Sequence, residues 1–358
     1  MSDLFETPGV KPKRTKGFFA GLISILVVLG LVGGGLFVGY DQLTTFFSRF
    51  QVEDYSGEAG APTTITIEQG DDGTAVARKM VDADIVKSFD AIYREMLNSD
   101  FTIYPGVFEF PTKISGATAL QILISGSNRV TVSTTIPEGY KVTQITQSLV
   151  ADLGLLEGDV LAAIEAIMPR LPEQALNAEG YLFPATYTFD PGVSATEVVN
   201  AMVDRMEKEL ARYDLTLKNS FDVVNLAALI QVEAGLTEDF YKVSRVFLNR
   251  LDLGMLLQSD ATVSYGTGGT TVTTTDAQRA DDNPYNTYLH PGLPGGPISN
   301  PGSVAIEAAL RPADGDWLYF VTINLKTGET IFSETFAEHE RAAQLFYAWL
   351  RANPEWND

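Results

Sequence analysis

Phe221 to Gly235 reads FDVVNLAALIQVEAG, a proline-free run whose apolar residues recur at the spacing of a helix. At about 100° per residue, Val223, Leu226, Leu229, Ile230 and Glu233 fall within about 120° of one another. One apolar face therefore carries a carboxyl group. A charge there is costly, so without a paired cation Glu233 should have a raised pKa and hold its proton near neutrality. That is the state required of a general acid. Gly235 is placed to end the helix and open the acid to solvent. The competing reading is an internal salt bridge from Glu233 to Lys242, Arg245 or Arg250.

Downstream lie VFLNRLDLGMLLQSDATVSYG (246 to 266) and DNPYNTYLHPGLPGGPISNPG (282 to 302), dense in Asn, Gln, Asp, Thr, Tyr, Pro and Gly. Rigid turns of this kind present amides and hydroxyls, the groups that hydrogen-bond sugar hydroxyls and acetamides. Between them GTGGTTVTTTD (266 to 276) reads as a mobile hairpin or lip. His290, in a Pro/Gly turn, reads as exposed, and His339 as packed or facing solvent on the last helix. DWLYFVTI, NLKTG and ETIFS predict a hairpin turning at Lys326, Thr327 and Gly328, then a helix stopping near Pro354. Phe346, Tyr347 and Trp349 on that helix read as core or packing residues.

Upstream, EGYLFPATYTFD (179 to 190) interrupts a mostly helical stretch from Glu157 to Arg212. Its four aromatics, Tyr181 and Tyr187 among them, could stack on pyranose faces or pack the core, and composition favours packing. Further back, Ile67, Gly70, Thr74, Val76, Met80 and Val81 recur 69 positions later as Ile136, Gly139, Thr143, Ile145, Leu149 and Val150. Each copy reads as a strand, a glycine turn, a Thr N-cap and an amphipathic helix. Between them Ile103 to Phe110 suggests a strand pair, and Ala117 to Ser125 a helix capped by Ser115.

At the N-terminus, Gly17 to Tyr40 carries no ionisable side chain but the last. Twenty-four residues at 1.5 Å each reach about 36 Å, enough to span a hydrocarbon core of about 30 Å. Lys11, Lys13, Arg14 and Lys16 precede the span and acidic residues follow it, which puts residues 1 to 16 in the cytoplasm and the remainder outside. A cleaved signal peptide is the weaker reading, because the apolar core is too long. The chain has 358 residues, with 25 Lys+Arg against 46 Asp+Glu for a net charge of -21. That acidity excludes a nucleic-acid surface. Cysteine is absent and there are two histidines, so thiol catalysis, disulfides and Cys/His zinc sites are excluded or starved of ligands. The composition calls for no metal and no cofactor. Chemistry must come from carboxylates, hydroxyls and amides.

In its ordered motifs the chain resembles the MltG (YceG-like) family of membrane-anchored endolytic murein transglycosylases: EGYLFPATY, the Glu233 helix, SRVFLNRLDLGMLLQSDATVSYG, NPYNTY, GLPGGPISNPG and the final LYFV and FSETFAEH. The resemblance implies an α+β fold with a transmembrane helix (17 to 40), a linker (41 to 62), a LysM-like module (63 to 130) and a catalytic domain with a glycan cleft (131 to 358). Within the last, 131 to 215 would hold a second αβ module and helical part, and 216 to 358 the catalytic core. The family acid lies fourteen positions before the Phe of V-F-x-N-R-L, which here is Glu233 before Phe247. Gln231 and Val232 stand where the pattern has Glu and Lys, Ala185 where it has Asp, and Ala261 where it has Pro.

On this resemblance Glu233 protonates the glycosidic oxygen at C1 of N-acetylmuramic acid. The sugar's own C6 hydroxyl then closes on C1, leaving a 1,6-anhydro end. Gln258 and Asp260 are expected to position substrate. Asn249, Tyr265, Tyr285, Asn286, Tyr288 and Asn300, with Tyr181 and Tyr187, complete the expected cleft. The implied partners are peptidoglycan strands, membrane lipid around residues 17 to 40 and peptidoglycan synthases, with cleavage helping to terminate strand elongation. A non-catalytic wall-binding or scaffold protein, with Glu233 salt-bridged, is the alternative.

Overall fold

The computed structural model describes residues 52 to 269 and 274 to 356. The expected span at 17 to 40 and the centre of the expected lip, 270 to 273, lie outside the described residues. Among the described residues no helix is long and apolar enough to cross a membrane. The chain divides into two compact units between Arg129 and Val130.

In the first unit, β1 (Pro62–Ile67) is followed by α1 (Gly73–Asp82) and α2 (Phe89–Leu97). The chain returns as β2 (Gly106–Pro111), antiparallel to β1 with Ile65 opposite Phe108. Then comes α3 (Gly116–Ser125), and the short β3 (Arg129–Val130) marks the boundary itself. Ile65 and Ile67 alternate inward with exposed threonines, and with Phe108 and Phe110 they meet Val76, Met80, Ile92 and Leu120 in one apolar core. Ser115 caps α3 as the sequence reading expects, accepting from Thr118 N at 3.2 Å. The expected strand pair at Ile103 to Phe110 is a single strand, because its partner is the distant β1.

The second unit repeats the strand, turn and helix. β4 (Val132–Thr135) leads to α4 (Val142–Leu153) and α5 (Glu157–Ala166), and β5 (Thr186–Phe189) returns antiparallel to β4. Gly70 and Gly139 both adopt left-handed backbone, with φ of 98° and 80°, where a Cβ would be strained. The expected threonine caps are not the caps. Asp72 caps α1, accepting from Ala75 N at 2.8 Å. At α4 the cap residue is Lys141, and the carboxylate of Glu179 accepts from Val142 N at 3.0 Å. A remote carboxylate thus does the work expected of Thr143.

The chain continues through α6 (Ala195–Ala211), α7 (Phe221–Glu233) and α8 (Phe240–Asp252). Next come α9 (Asp260–Gly266), α10 (Asp276–Arg279) and α11 (Ser303–Leu310), then the hairpin β6 (Tyr319–Asn324) and β7 (Glu329–Ser333), and finally α12 (Phe336–Ala352). α7 is the central helix. Every residue from Val224 to Ile230 is buried, so its middle is covered all round rather than on the single face that periodicity suggested. Val223 is only partly covered. α7 ends at Glu233 itself, with Ala234 in extended backbone as its cap. Gly235 therefore does not end the helix. The hairpin turns with Gly328 at φ 76° as expected. All of β6 is only partly buried, and Ala342 is the one buried residue of α12.

Candidate active site

Glu233 stands where a buried helix reaches a surface cleft of about 560 Å³. Three pieces of chain build the side of the cleft that holds Glu233. The end of α7 brings Glu233, α8 brings Phe247 and Arg250, and the turn leading into α9 brings Leu257, Gln258, Ser259 and Asp260. Tyr288 joins from the Asn/Pro-rich loop. The opposite lining is aromatic and comes from the last hairpin and helix, with Tyr319, Phe320, Phe336, His339 and Phe346.

The turn at 257 to 260 is held by backbone and hydroxyl bonds. Gln258 N donates to Thr287 O at 3.1 Å, Ser259 N donates to Thr287 Oγ1 at 3.0 Å, and Thr262 Oγ1 donates to Ser259 O at 2.7 Å. So fixed, the Ser259 hydroxyl donates to Oε1 of Glu233. The other oxygen, Oε2, has no protein partner among the described residues and is not sealed from solvent. No cation lies within ion-pair reach of this carboxyl group among the described residues. Lys242 faces Asp239 at 3.9 Å, and Arg245 donates to Ala313 O at 2.6 Å. The salt-bridged reading of Glu233 is thereby removed. Loss of solvation pushes its pKa above the ordinary carboxylate value, and the charge of Asp260 adds to that rise. The Ser259 hydrogen bond and the more distant Arg250 pull the other way without reversing it. A carboxyl group that lines a cleft and whose surroundings favour the protonated form is suited to give a proton to a bound ligand.

Asp260 has a different setting. Its Oδ1 accepts from Thr274 Oγ1 at 2.6 Å and Tyr288 Oη at 2.8 Å, and Arg279 lies 3.8 Å away. This carboxylate is committed to holding the loop, and it fixes Tyr288 in the cleft. Of the residues expected in the cleft, the fold brings Gln258, Asp260 and Tyr288 to Glu233.

The others lie elsewhere. Asn249 donates to Gly315 O at 3.1 Å and Trp317 O at 2.9 Å, bracing the approach to the hairpin. Asn286 is fully buried and donates to Arg279 O and Asp281 O, closing its own loop. Tyr181 and Tyr187 are core residues with 0% and 6% exposure. The Tyr187 hydroxyl donates to Phe183 O at 2.6 Å. Packing, the reading composition favoured for these aromatics, is where the fold puts them.

Asn300, Tyr265 and Tyr285 gather instead around Glu179, an acid absent from the expected site. Glu179 is 3% exposed. Besides Val142 N, it accepts from Asn300 Nδ2 at 2.7 Å and Tyr265 Oη at 3.1 Å. Burial raises its pKa to about 7 against the lowering effect of those donors. Tyr285 packs on Tyr265 at 4.7 Å between ring centroids. The departures from the family pattern are quiet in structure. Gln231 Oε1 accepts from Gly302 N at 2.9 Å, and Val232 points outward with 40% exposure.

Sequence reasoning also passed over Arg250, Ser259, Tyr319 and His339 as cleft residues. Their signal was present in the motifs LNRL, LQSD, LYF and EHE, which all converge here. His339 stacks on Tyr319 at 5.3 Å, and burial together with Arg250 lowers its pKa. His290 is exposed, as expected, beside Asp282 at 2.8 Å.

Comparison with known proteins places the chain in a family. The model of the YceG-like family matches residues 65 to 345. An endolytic murein transglycosylase of Bacillus subtilis is 29% identical over 338 residues, covering 88% of this chain and 91% of that protein. One of Streptococcus pneumoniae is 28% identical over 367 residues, covering 90% of this chain, which spans 64% of that longer protein. The crystal structure of a yceG-like protein of Listeria monocytogenes is 30% identical, with a TM-score of 0.52 over 79% of this chain and 99% of that one.

Proposed function

The chain belongs to the YceG-like family, and we propose that it is a membrane-anchored endolytic lytic transglycosylase. Its substrate on this reading is the glycan strand of peptidoglycan, cut between N-acetylmuramic acid and N-acetylglucosamine. The observation that carries the proposal is Glu233, a carboxyl group that lines the cleft, whose protonated form is favoured by loss of solvation and whose only side-chain partner among the described residues is the Ser259 hydroxyl on Oε1.

Glu233 gives its proton to the bridging oxygen as the C1 to O4 bond breaks, so the departing N-acetylglucosamine leaves as a neutral alcohol. Positive charge builds on C1 and the ring oxygen. The C6 hydroxyl of the same muramyl residue bonds to C1, and its proton returns to the Glu233 carboxylate. Atoms balance without water, and the new end is a 1,6-anhydro sugar. The Ser259 hydroxyl holds Oε1 throughout, so that Oε2 alone carries the proton. A hydrolase of the common kind requires a second carboxylate that is free to act, whereas Asp260 is bound by Thr274 and Tyr288.

The remaining parts of the reading follow from the sequence. Residues 17 to 40 anchor the chain in the cell membrane with the N-terminus cytoplasmic, and the catalytic unit works outside on nascent strands, helping to end their elongation. The first unit, with its strand, two helices and antiparallel return strand, serves as a LysM-like module that holds glycan. The test is the mass of the products released by the full-length protein from a nascent glycan polymer. Anhydro ends are expected, and Glu233→Gln should slow their release by about 10²- to 10⁴-fold. Ends heavier by one water would make the enzyme a muramidase. Binding without cleavage, unchanged in Glu233→Gln, would leave a wall-binding protein.

A further inference from the structure

We propose that Arg250 reads a carboxylate on the substrate and so selects muramyl-containing strands over neutral glycans, an inference that rests on the glycan-cleaving function proposed above. Among the described residues, Arg250 is the one lysine or arginine lining the Glu233 cleft. Two of its donors are used for position, Nε to Leu318 O at 2.7 Å and Nη1 to Leu257 O at 2.8 Å. Its guanidinium also lies 5.2 Å from the centre of the Tyr319 ring, which in turn stacks on His339. The group is thus fixed by two carbonyl oxygens and an aromatic face. No carboxylate pairs with it among the described residues, and Nη2 has no protein partner and is not sealed from solvent.

The cleft's own acids form no ion pair with Arg250, and Glu233 acts on it only at longer range. Asp260 is held by Thr274 and Tyr288 beside Arg279, and the surroundings of Glu233 favour its neutral form. What remains is one oriented cation with a free edge in a glycan cleft. A planar guanidinium suits a carboxylate, because two of its N–H groups meet two oxygens at once. N-acetylmuramic acid carries such a carboxylate on its lactyl side chain when that is free, and on the attached peptide when it is not. N-acetylglucosamine carries none.

The experiment measures binding of full-length Glu233→Gln, with and without Arg250→Gln. Four probes are used: an N-acetylglucosamine tetrasaccharide, and an alternating N-acetylglucosamine and N-acetylmuramic acid tetrasaccharide with free lactyl carboxylates, with lactyl amides, or with peptides attached. With Arg250 present, a carboxylate-bearing probe should bind at least about tenfold more tightly than the neutral probes. Preference for the free-lactyl form assigns the lactyl group, and preference for the peptide form assigns the peptide. Arg250→Gln should weaken that probe by about 10- to 100-fold and change the neutral probes by less than about twofold. Arg250→Lys, which keeps the charge but loses the fork, should fall between.

Equal weakening of all probes would show a structural role and overturn the proposal, as would the absence of any carboxylate preference while Arg250 is present. Retained binding of the neutral probes reports that the cleft of the variant is intact. If the parent releases anhydro ends but shows no such preference, the inference about Arg250 fails and the proposed function stands. If it releases none, that function itself has failed.

Discussion

Two carboxyl groups in the same unit, the partly buried Glu233 and the buried Glu179, are both pushed above the ordinary acid range by loss of solvation, yet their surroundings differ. Glu179 receives Val142 N, Asn300 Nδ2 and Tyr265 Oη, and joins the start of α4 to the loop that holds Asn300. Glu233 receives one hydroxyl and keeps an open oxygen. A raised pKa by itself therefore does not mark a catalytic acid. What marks it is acceptor and donor capacity left unused beside a cleft wide enough for a ligand.

The comparison breaks most readily on activity. Glu233→Gln should remove at least about a hundredfold of glycan cleavage, whereas Glu179→Gln should leave the rate within about threefold in protein that remains folded, both measured by release of anhydro ends. Comparable losses in the two variants would erase the distinction.

Stability against pH tests Glu179 next. The folded pKa of Glu179, about 7, lies above its ordinary value of 4.5. Folding therefore favours the protonated form: stability is fullest below about pH 4.5 and is lost as pH rises through about 7, by roughly 3 kcal/mol for this group. Urea unfolding of the parent between pH 5 and 8 should show the decline, and Glu179→Gln should remove the Glu179 share of it, leaving the part of the same sign that belongs to Glu233.

A subtler effect is expected at Ser259. Its hydrogen bond lowers the pKa of Glu233, so Ser259→Ala should move the alkaline limb of the rate profile to higher pH while reducing the maximal rate by about tenfold through loss of a fixed Oε1. A shift toward lower pH would contradict this assignment. The smallest change belongs to His290→Ala. His290 and Asp282 form an exposed pair, and exposed pairs contribute about 0 to 1 kcal/mol, so chemical denaturation and cleavage rate should both stay close to the parent's.

Much of the framework was legible in the sequence because it depends on local rules. The two glycines that need positive φ, the Ser115 cap and the Lys326 to Gly328 turn each leave a signal within a few residues. Glu233 was legible because helical spacing carries it to the end of an apolar stretch. The amides were not. Asn249, Asn286 and Asn300 look alike in composition, but what an amide bonds is decided by chain arriving from elsewhere, as when Asn249 meets Trp317 O. Glu179 was missed for the same reason, since its donors come from α4, α9 and the Asn300 loop. The aromatic lining was misread because α12 looks amphipathic enough to pack fully. The fold instead leaves Phe346 and His339 in the cleft and Tyr347 51% exposed.

Gln258, between Leu257 and Ser259 at the edge of the cleft, has φ 53°, a left-handed conformation that costs a residue with a Cβ about 1 kcal/mol. That backbone twist aims the next hydroxyl at the acid. Glycine or asparagine at 258 should relieve the twist and raise the melting temperature, while a β-branched residue should swing the turn and take Ser259 out of reach. The position thus separates two kinds of variation in relatives of this chain: side chains that merely change what the turn offers a sugar, and those that decide whether the turn can exist.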